Sequence, residues 1–370
     1  MPKRSWASAA ALLAASLLAG CAPGGDEDGE ATLTVYVSMP LRGASGADGR
    51  DAADGARMAL ADADAEAGGL TVEARFLDDT EGPARSARWT PAKAAANARL
   101  ATQDSTAIAY LGEFESGATR SSLPVTNGAR LLQVSPASAA DDLVAPVPGS
   151  DEVPDVQPTG ARTFGRVIPG DRAQAAAGAG WVGELGIARV ATESDGGAFG
   201  DAMVDGFEDA LQGAVLTDRG FELLYYGGAP DRRPASLSQA VPRLMVTDAE
   251  LAPGVSEPER TLATSAALDP SQLPSAGQDF AERFEREYGR APGRYAAYGY
   301  EAMAVILDSV DRASDPTDRA LVIDSFFATE ERESILGTYS IDEVGETTLD
   351  RMTGYELGPG DPRPVAEIGP

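Results

Sequence analysis

The chain has 370 residues and a formal net charge of −28 at pH 7, with one cysteine and no histidine. Ser-His-Asp and Cys-His catalysis, an internal disulfide, and zinc sites built on histidine or several cysteines are therefore excluded. The acidic balance disfavours nucleic acids and anionic lipid surfaces as partners, and the length allows two domains.

The beginning of the chain has the three parts of a secretory signal. Two basic residues are followed by an apolar run over residues 6–18 and by small residues before Cys21. The run is shorter than the about 20 apolar residues that a membrane span needs. We predict a signal peptide over residues 1–20 and a flexible tether, which includes the acidic sequence GGDEDGE, over residues 21–31.

The sequence LLAGC, which ends at Cys21, resembles a bacterial lipobox. In a lipobox the cysteine is lipidated and becomes the first residue of the mature protein. The alternative is an ordinary cleaved signal with an incidental cysteine. The resemblance implies a protein outside the cytoplasm that is anchored to the cell membrane by lipidated Cys21, without a spanning helix.

From residue 33 onward the apolar pattern alternates between the period of a strand and the period of a helix. Strands are predicted at residues 33–37, 72–76, 107–112 and 131–135. Helices are predicted over about residues 51–67, over about 91–102 and after the turn at 115–117. This alternation indicates βαβ units and a parallel sheet, with ligands gathering at the carboxyl ends of the strands.

The Pro-rich and acidic residues 141–160 predict a surface loop before a second α/β region. In that region strands are expected at residues 163–169, 188–193, 222–228 and 243–248. Helices are expected from Asp171, acting as N-cap, to near 186, over 201–211, up to Gly289, and around 298–306. The sequence thus predicts two α/β lobes, one before and one after about residue 160.

A series of short motifs resembles the type I periplasmic binding proteins, and more narrowly the leucine/isoleucine/valine-binding proteins of branched-chain amino acid ABC transporters. Each motif alone is weak, but their number, order and spacing are specific and cover most of the chain. The motifs are VSMPLRG (37–43), DGARMALADADAEAGGL (54–70), FLDDTEGPARS (76–86), AYLGEFESGA (109–118), LLQVSPASAADDL (131–143), FGRVIPGDRAQ (164–174), SDGGAFGDAMVDGFEDAL (194–211) and FEREYGRAPGRYAAYGYEAM (284–303).

The resemblance implies two Rossmann-like lobes with parallel sheets, joined by a hinge of three crossings. Lobe one would comprise residues 32–150 and 268–335, and lobe two residues 160–262 and 336–357, before a flexible tail over 358–370. Where the family has a strand, a loop and a helix after the helix ending near residue 211, this chain has only 11 residues, QGAVLTDRGFE. We therefore expect the second lobe to be shortened by roughly one strand and one helix.

The resemblance also assigns a binding site for a free amino acid. Its carboxylate would be received on lobe one by Ser116, Gly117, Ala137, Ser138 and Ala139. On lobe two, Phe199 would form an aromatic wall and Asp248 would receive the ammonium. The alternatives are N-capping for the serines, core packing for Phe199 and a turn or cap for Asp248. Ala139 and Phe199 lack hydroxyls that the family often has at these positions.

The resemblance implies a lipid-anchored solute-binding protein of an ABC importer that takes a branched-chain or similar amino acid. Its partners would be the small-molecule ligand, an ABC permease and the membrane through the lipid anchor, and not nucleic acid. No enzymatic activity, cofactor or metal is expected. The alternative is a regulatory or structural lipoprotein that keeps the fold without binding amino acids, which the shortened lobe and the two missing hydroxyls favour.

Overall fold

The computed structural model describes residues 32–146, 152–234, 237, 241–251 and 261–370. The predicted signal peptide, Cys21 and the tether lie outside the described residues. Within the described part of the chain, no helix is long and apolar enough to cross a membrane.

The first sheet has six strands in the order β2-β3-β1-β6-β7-β8, all parallel except β2. Every residue of β1 after the first is buried, as expected for a parallel strand covered by helices on both faces. The strands are β1 (Thr32–Met39), β2 (Glu66–Ala67), β3 (Leu70–Asp78), β6 (Ala107–Leu111), β7 (Leu132–Ser135) and β8 (Phe164–Arg166), and β4 (Thr80–Glu81) pairs separately with β5 (Arg88–Trp89).

The second sheet has seven strands in the order β10-β9-β11-β12-β13-β16-β17. The first five are parallel, and β16 and β17 are added antiparallel. The strands are β9 (Arg189–Ser194), β10 (Val215–Leu216), β11 (Leu223–Gly227), β12 (Leu244–Val246), β13 (Thr261–Ser265), β16 (Met352–Leu357) and β17 (Arg363–Ile368), and β14 (Arg332–Ser334) pairs separately with β15 (Gly337–Tyr339).

Local sequence signals set several helix ends. Thr90 caps α2 by accepting a hydrogen bond from the Lys93 N–H at 3.2 Å, and Gly289 ends α6 in the left-handed conformation with a φ of 67°. The helices with described bounds are α1 (Gly46–Asp62), α2 (Pro91–Gln103), α3 (Ser116–Gly128), α4 (Asp171–Glu184), α5 (Ala198–Ala210), α6 (Ser275–Tyr288), α7 (Ala296–Arg312) and α8 (Arg319–Phe327).

The larger hydrophobic core lies between the first sheet and helices α1, α6, α7 and α8. Helices α1 and α7 cross with their backbones in contact: a Cβ on Gly299 would lie 2.0 Å from the carbonyl oxygen of Ala52. We call the first sheet with α1–α3 and α6–α8 lobe one. The C-terminal helices therefore return to lobe one after the chain has formed most of the second sheet.

A second core lies between the second sheet and helices α4 and α5, and we call this part of the molecule lobe two. Phe207 of α5 stacks on Tyr225 of β11 with ring centroids 4.0 Å apart and planes inclined by 10°. Together the two sheets confirm the α/β class with parallel strands in two groups.

The observed sheets correct two boundaries of the predicted lobes. Residues 164–166 form the last strand of the first sheet, although we expected lobe two to begin at residue 160. Residues 363–368 form the edge strand of the second sheet, with Ile368 buried, where we expected a flexible tail. The apolar periodicity of a segment predicts a strand but not the sheet to which the strand belongs. The Pro and Gly residues near the end of the chain led us to predict a tail and to miss β17.

The predicted shortening of lobe two is also corrected in detail. Residues 211–222 are all described and contain no helix, but they do contain β10, which pairs with β9 at the edge of the sheet. The strand is therefore present and has only two residues, both exposed. The interval contains no helix, as predicted, and β10 leaves this sheet edge short.

Candidate functional site

A cleft of about 930 Å³ lies between the two lobes. It is lined by the loops that follow β6, β7 and β12 and by the first residues of α3, α4 and α5. The carboxyl ends of parallel strands and the amino ends of the following helices meet at one edge of an α/β sheet, which is where such folds bind ligands. The N–H groups and the dipole of each helix amino end favour a negatively charged group there.

Six of the seven predicted ligand residues line this cleft, namely Ser116, Gly117, Ala137, Ala139, Phe199 and Asp248. Ser116 Oγ accepts a hydrogen bond from the Ala140 N–H at 3.2 Å, so its own O–H is the group that can donate to a ligand. Phe199, at the start of α5, is 37% exposed and forms part of the apolar wall.

Ser138 is the exception, and its predicted contact with a ligand is corrected. Its side chain is fully buried, and its hydroxyl lies 3.0 Å from the carbonyl oxygen of Glu113 and 2.7 Å from Thr119 Oγ1. Its N–H donates to Ser135 Oγ at 2.8 Å. Because both polar groups bond inside lobe one, Ser138 shapes the loop and does not line the cleft.

Asp248 follows β12 and is half-buried at the cleft surface of lobe two. Burial raises the pKa of its carboxyl group, the positive charge of Arg294 lowers it, and the negative charge of Asp48 raises it again. Arg294 and Asp48 belong to lobe one. The carboxylate of Asp248 therefore lies within electrostatic reach of the opposite wall of the cleft.

Seven acids and three arginines line the cleft, an excess of negative charge. The acids are Asp48, Glu115, Asp141, Asp142, Asp171, Asp205 and Asp248, and the arginines are Arg120, Arg172 and Arg294. Burial is the largest cause of a raised pKa at five of the acids, namely Asp48, Glu115, Asp141, Asp171 and Asp248. For Asp171, which is 7% exposed, burial raises the pKa to about 7.

Each of the three arginines has a carboxylate partner. Arg120 pairs with Asp142 through two nitrogens. Arg172 Nη2 lies 2.7 Å from Asp209, which is not a cleft residue, and Arg294 Nη2 lies 3.7 Å from Asp48. Among the described residues, none of these pairs involves Asp171 or Asp248.

The fully buried Arg166, at the end of β8, holds the loop after β7, which contributes Ala140 and Asp141 to the cleft lining. Its guanidinium pairs with Glu346, which lies between β15 and β16, and donates to the carbonyl oxygen of Ala140 at 2.9 Å. A Cβ on Gly170 would lie 2.4 Å from Arg166 Nη2 and 2.5 Å from Asp141 Oδ1. Only glycine leaves room for the guanidinium at this crossing between the lobes.

The carboxyl groups of Asp79 and Glu113 form a fully buried pair in lobe one and do not line the cleft. Glu113 accepts hydrogen bonds from Ser38 Oγ at 2.7 Å and from Tyr110 OH at 2.5 Å, and it adjoins Asp79. Burial raises the pKa of both carboxyl groups, that of Asp79 to about 7, and the nearby Asp79 charge adds to the increase at Glu113. Burial and the closeness of the two carboxyl groups therefore favour the protonated, uncharged form.

The residue-level prediction missed Asp48, Glu115, Asp171 and Arg294. For Asp171 the reason is specific: we expected it to be the N-cap of α4, but Gly170 is the N-cap and Asp171 is the first helical residue. Its side chain lines the cleft instead. An acid between a strand and a helix is compatible with both roles, and only the position of the strand in the sheet distinguishes them.

No family model and no curated protein matches the sequence, but solved structures match the fold. A leucine binding protein from Thermotoga maritima is 21% identical, with a TM-score of 0.72, over 91% of this chain and 99% of that chain. An ABC transporter substrate-binding protein from Desulfitobacterium hafniense in complex with Leu is 20% identical, with a TM-score of 0.73, over 90% and 100%.

A third structure is the solute binding protein of an ABC transporter from Rhodopseudomonas palustris BisB5 in complex with 3,4-dihydroxy benzoic acid. It is 14% identical, with a TM-score of 0.69, over 92% of this chain and 98% of that chain. The first of these proteins is named as a leucine binding protein and the other two as binding proteins of ABC transporters. At such low identity the likeness shows a shared fold. The chain has the type I periplasmic binding protein fold, which it shares with substrate-binding proteins of ABC transporters.

Proposed function

We propose that this chain is a lipid-anchored solute-binding protein of an ABC importer and that it binds a free amino acid, branched-chain or similar, between its lobes. One observation carries the proposal. The cleft has the amino end of α3 on one lobe and the carboxylate of Asp248 on the other, with an apolar wall that includes Phe199. These groups match the carboxylate, the ammonium and the aliphatic part of an amino acid.

The carboxylate would be received at the start of α3. The N–H groups at a helix amino end have no partner within the helix, and the dipole adds to their attraction for an anion. Ser116 supplies a hydroxyl at this position, and Gly117, Ala137 and Ala139 leave space for close approach to the backbone. Because the side chains of glycine and alanine carry no hydrogen-bonding group, the backbone supplies most of the donors.

The ammonium would be received by Asp248. A ligand that touches both lobes stabilises the arrangement in which they are close, because only that arrangement makes both sets of contacts. This is the property that a transporter needs in order to recognise the loaded protein. Asp248 therefore contributes to ligand affinity more than to the stability of the ligand-free protein.

Delivery to an ABC permease and a location outside the cytoplasm rest on the likeness to the transporter proteins and on the secretory signal. Lipid anchoring rests on the sequence LLAGC. Cys21→Ser should move the protein from the membrane fraction to the soluble fraction and remove its lipid. A protein that carries no lipid, with or without the substitution, would contradict the anchor and leave the cleft proposal untouched.

The binding proposal is tested by calorimetric titration of Asp248→Asn with amino acids. The substitution keeps the shape and removes the charge, which leaves a buried ammonium without its partner. We expect at least about a hundredfold loss of affinity and almost unchanged thermal unfolding without ligand. The matched control is Asp218→Asn, an exposed acid of lobe two that is not a cleft residue, for which we expect wild-type affinity.

Near-native affinity of Asp248→Asn for the amino acid would contradict the ammonium site. If no amino acid binds the wild-type protein, the regulatory or structural alternative is favoured instead.

A further inference from the structure

Asp171 is a cleft acid for which an amino acid with an uncharged side chain provides no cationic partner. Asp171 is 7% exposed and lies at the start of α4, where it lines the cleft. Among the described residues its carboxylate makes no hydrogen bond and no ion pair. A buried ionised carboxylate without a partner is costly, so an acid in this position requires a cation or a proton.

The arginines of the cleft do not fill this need. Each of the three is paired with another acid, as described above. The buried Arg166 is nearby, but its contacts are with Glu346 and Asp141. The negative charges of Asp141 and Asp248 raise the pKa of Asp171, and the positive charges of Arg166 and Arg120 lower it. In the part of the chain that the structure describes, neither Asp171 nor Asp248, both on lobe two, forms an ion pair with any of these arginines.

A branched-chain amino acid carries one ammonium and one carboxylate, so it brings no net charge. If its ammonium neutralises Asp248, Asp171 stays unpaired and is enclosed further as the lobes approach. A ligand with a second cationic group would neutralise both acids. The cleft of about 930 Å³ has room for such a molecule, and its apolar wall suits an aliphatic chain between two charges.

We propose that the solute is an amino acid with a second, side-chain cation, such as an ammonium or guanidinium, and that Asp171 receives this group. The inference rests on the proposed function and narrows it from branched-chain amino acids to amino acids with a cationic side chain. Asp248 would hold the α-ammonium, and Asp171, with Asp141 beside it, the side-chain cation. The α-carboxylate would remain at the start of α3.

The test compares two probes, L-lysine and L-norleucine, which share the same carbon chain and differ only in the terminal ammonium. We expect calorimetric titration of the wild-type protein to give at least about thirtyfold tighter binding of lysine, the effect of one charge-assisted hydrogen-bonded pair. In Asp171→Asn this preference should fall to less than about threefold, because the terminal ammonium has lost its partner. Asp218→Asn is the control and should keep the wild-type preference.

The outcomes separate this inference from the proposal on which it rests. If norleucine or leucine binds as tightly as lysine, or if Asp171→Asn keeps the preference for lysine, the inference is wrong and amino-acid binding still stands. If neither lysine, norleucine nor leucine binds, the proposed function itself is wrong. Circular dichroism of Asp171→Asn shows whether the variant has kept the fold.

Discussion

Glu346→Gln should destabilise the protein, because it removes the main partner of a fully buried guanidinium. Arg166 is 0% exposed, and its Nε lies 2.9 and 3.0 Å from the two carboxylate oxygens of Glu346. After the substitution the nearest remaining carboxylate is that of Asp141, at 3.4 Å from Arg166 Nη2. Breaking a buried ion pair by removing one partner costs about 3–5 kcal/mol.

The expected cost here is somewhat smaller, since the Glu346 side chain is 26% exposed and water screens part of the interaction. We expect the free energy of unfolding to fall by about 2–4 kcal/mol, measured by urea denaturation with linear extrapolation. Glu343→Gln is the control: it lies in the same segment, is exposed, and should change stability by less than about 0.5 kcal/mol. A loss below about 1 kcal/mol for Glu346→Gln would refute the reasoning.

A double variant that replaces both Arg166 and Glu346 tests the same prediction in a second way. Arg166→Met combined with Glu346→Leu removes both charges of the closer pair, and such apolar replacements are often neutral. Asp141 also loses its partner Arg166, but its side chain is 28% exposed and water can solvate it. We expect the double variant to be more stable than Glu346→Gln. The opposite order would mean that the carbonyl contacts of Arg166, and not its charge, determine the stability of this crossing.

Two further predictions concern lobe one. The pKa of Asp79 is raised from 3.8 to about 7, so between these values the folded protein holds a proton that the unfolded chain has lost, and the free energy of unfolding should fall as pH rises from about 4 to 7. Asp79→Asn should reduce this fall in urea denaturation across that range; an unchanged pH dependence would contradict the raised pKa of Asp79. Gly299→Ala should cost about 1–3 kcal/mol or more in the same assay, because its Cβ would lie 2.0 Å from the Ala52 carbonyl oxygen. The control Gly183→Ala, in open space in α4, should be neutral or stabilising, and equal effects of the two substitutions would contradict close packing of α1 and α7.

Much of the fold could be predicted because the elements have strong local signals. The apolar alternation of β1, the Thr-Pro start of α2 and Gly289 after α6 each determine local structure without help from distant residues. What could not be predicted is which sheet receives a strand. The apolar run of β8 is compatible with either sheet, and its place depends on pairing with β7, which is a long-range contact.

At the candidate site, too, the loops could be predicted, but the side-chain directions that depend on distant parts of the chain could not. The loops after β6 and β7 could be identified from the family resemblance and from their position at predicted strand ends, and most of the residues assigned there line the cleft. The direction of individual side chains could not: Ser138 turns inward to Glu113, and Asp171 faces the cleft and does not cap its helix. Arg294 comes from the chain that returns to lobe one after β13, so no local pattern connects it with Asp248.

The central claim, that the cleft binds an amino acid, is tested most directly by thermal unfolding of the purified protein with each L-amino acid in turn. A ligand at about 100 times its Kd stabilises a protein by about 2.7 kcal/mol, which for a folded part of this size raises Tm by about 4 °C. We expect such a shift with at least one amino acid, and the largest shift with those that carry a side-chain cation. Unchanged Tm with every amino acid at millimolar concentration would contradict it.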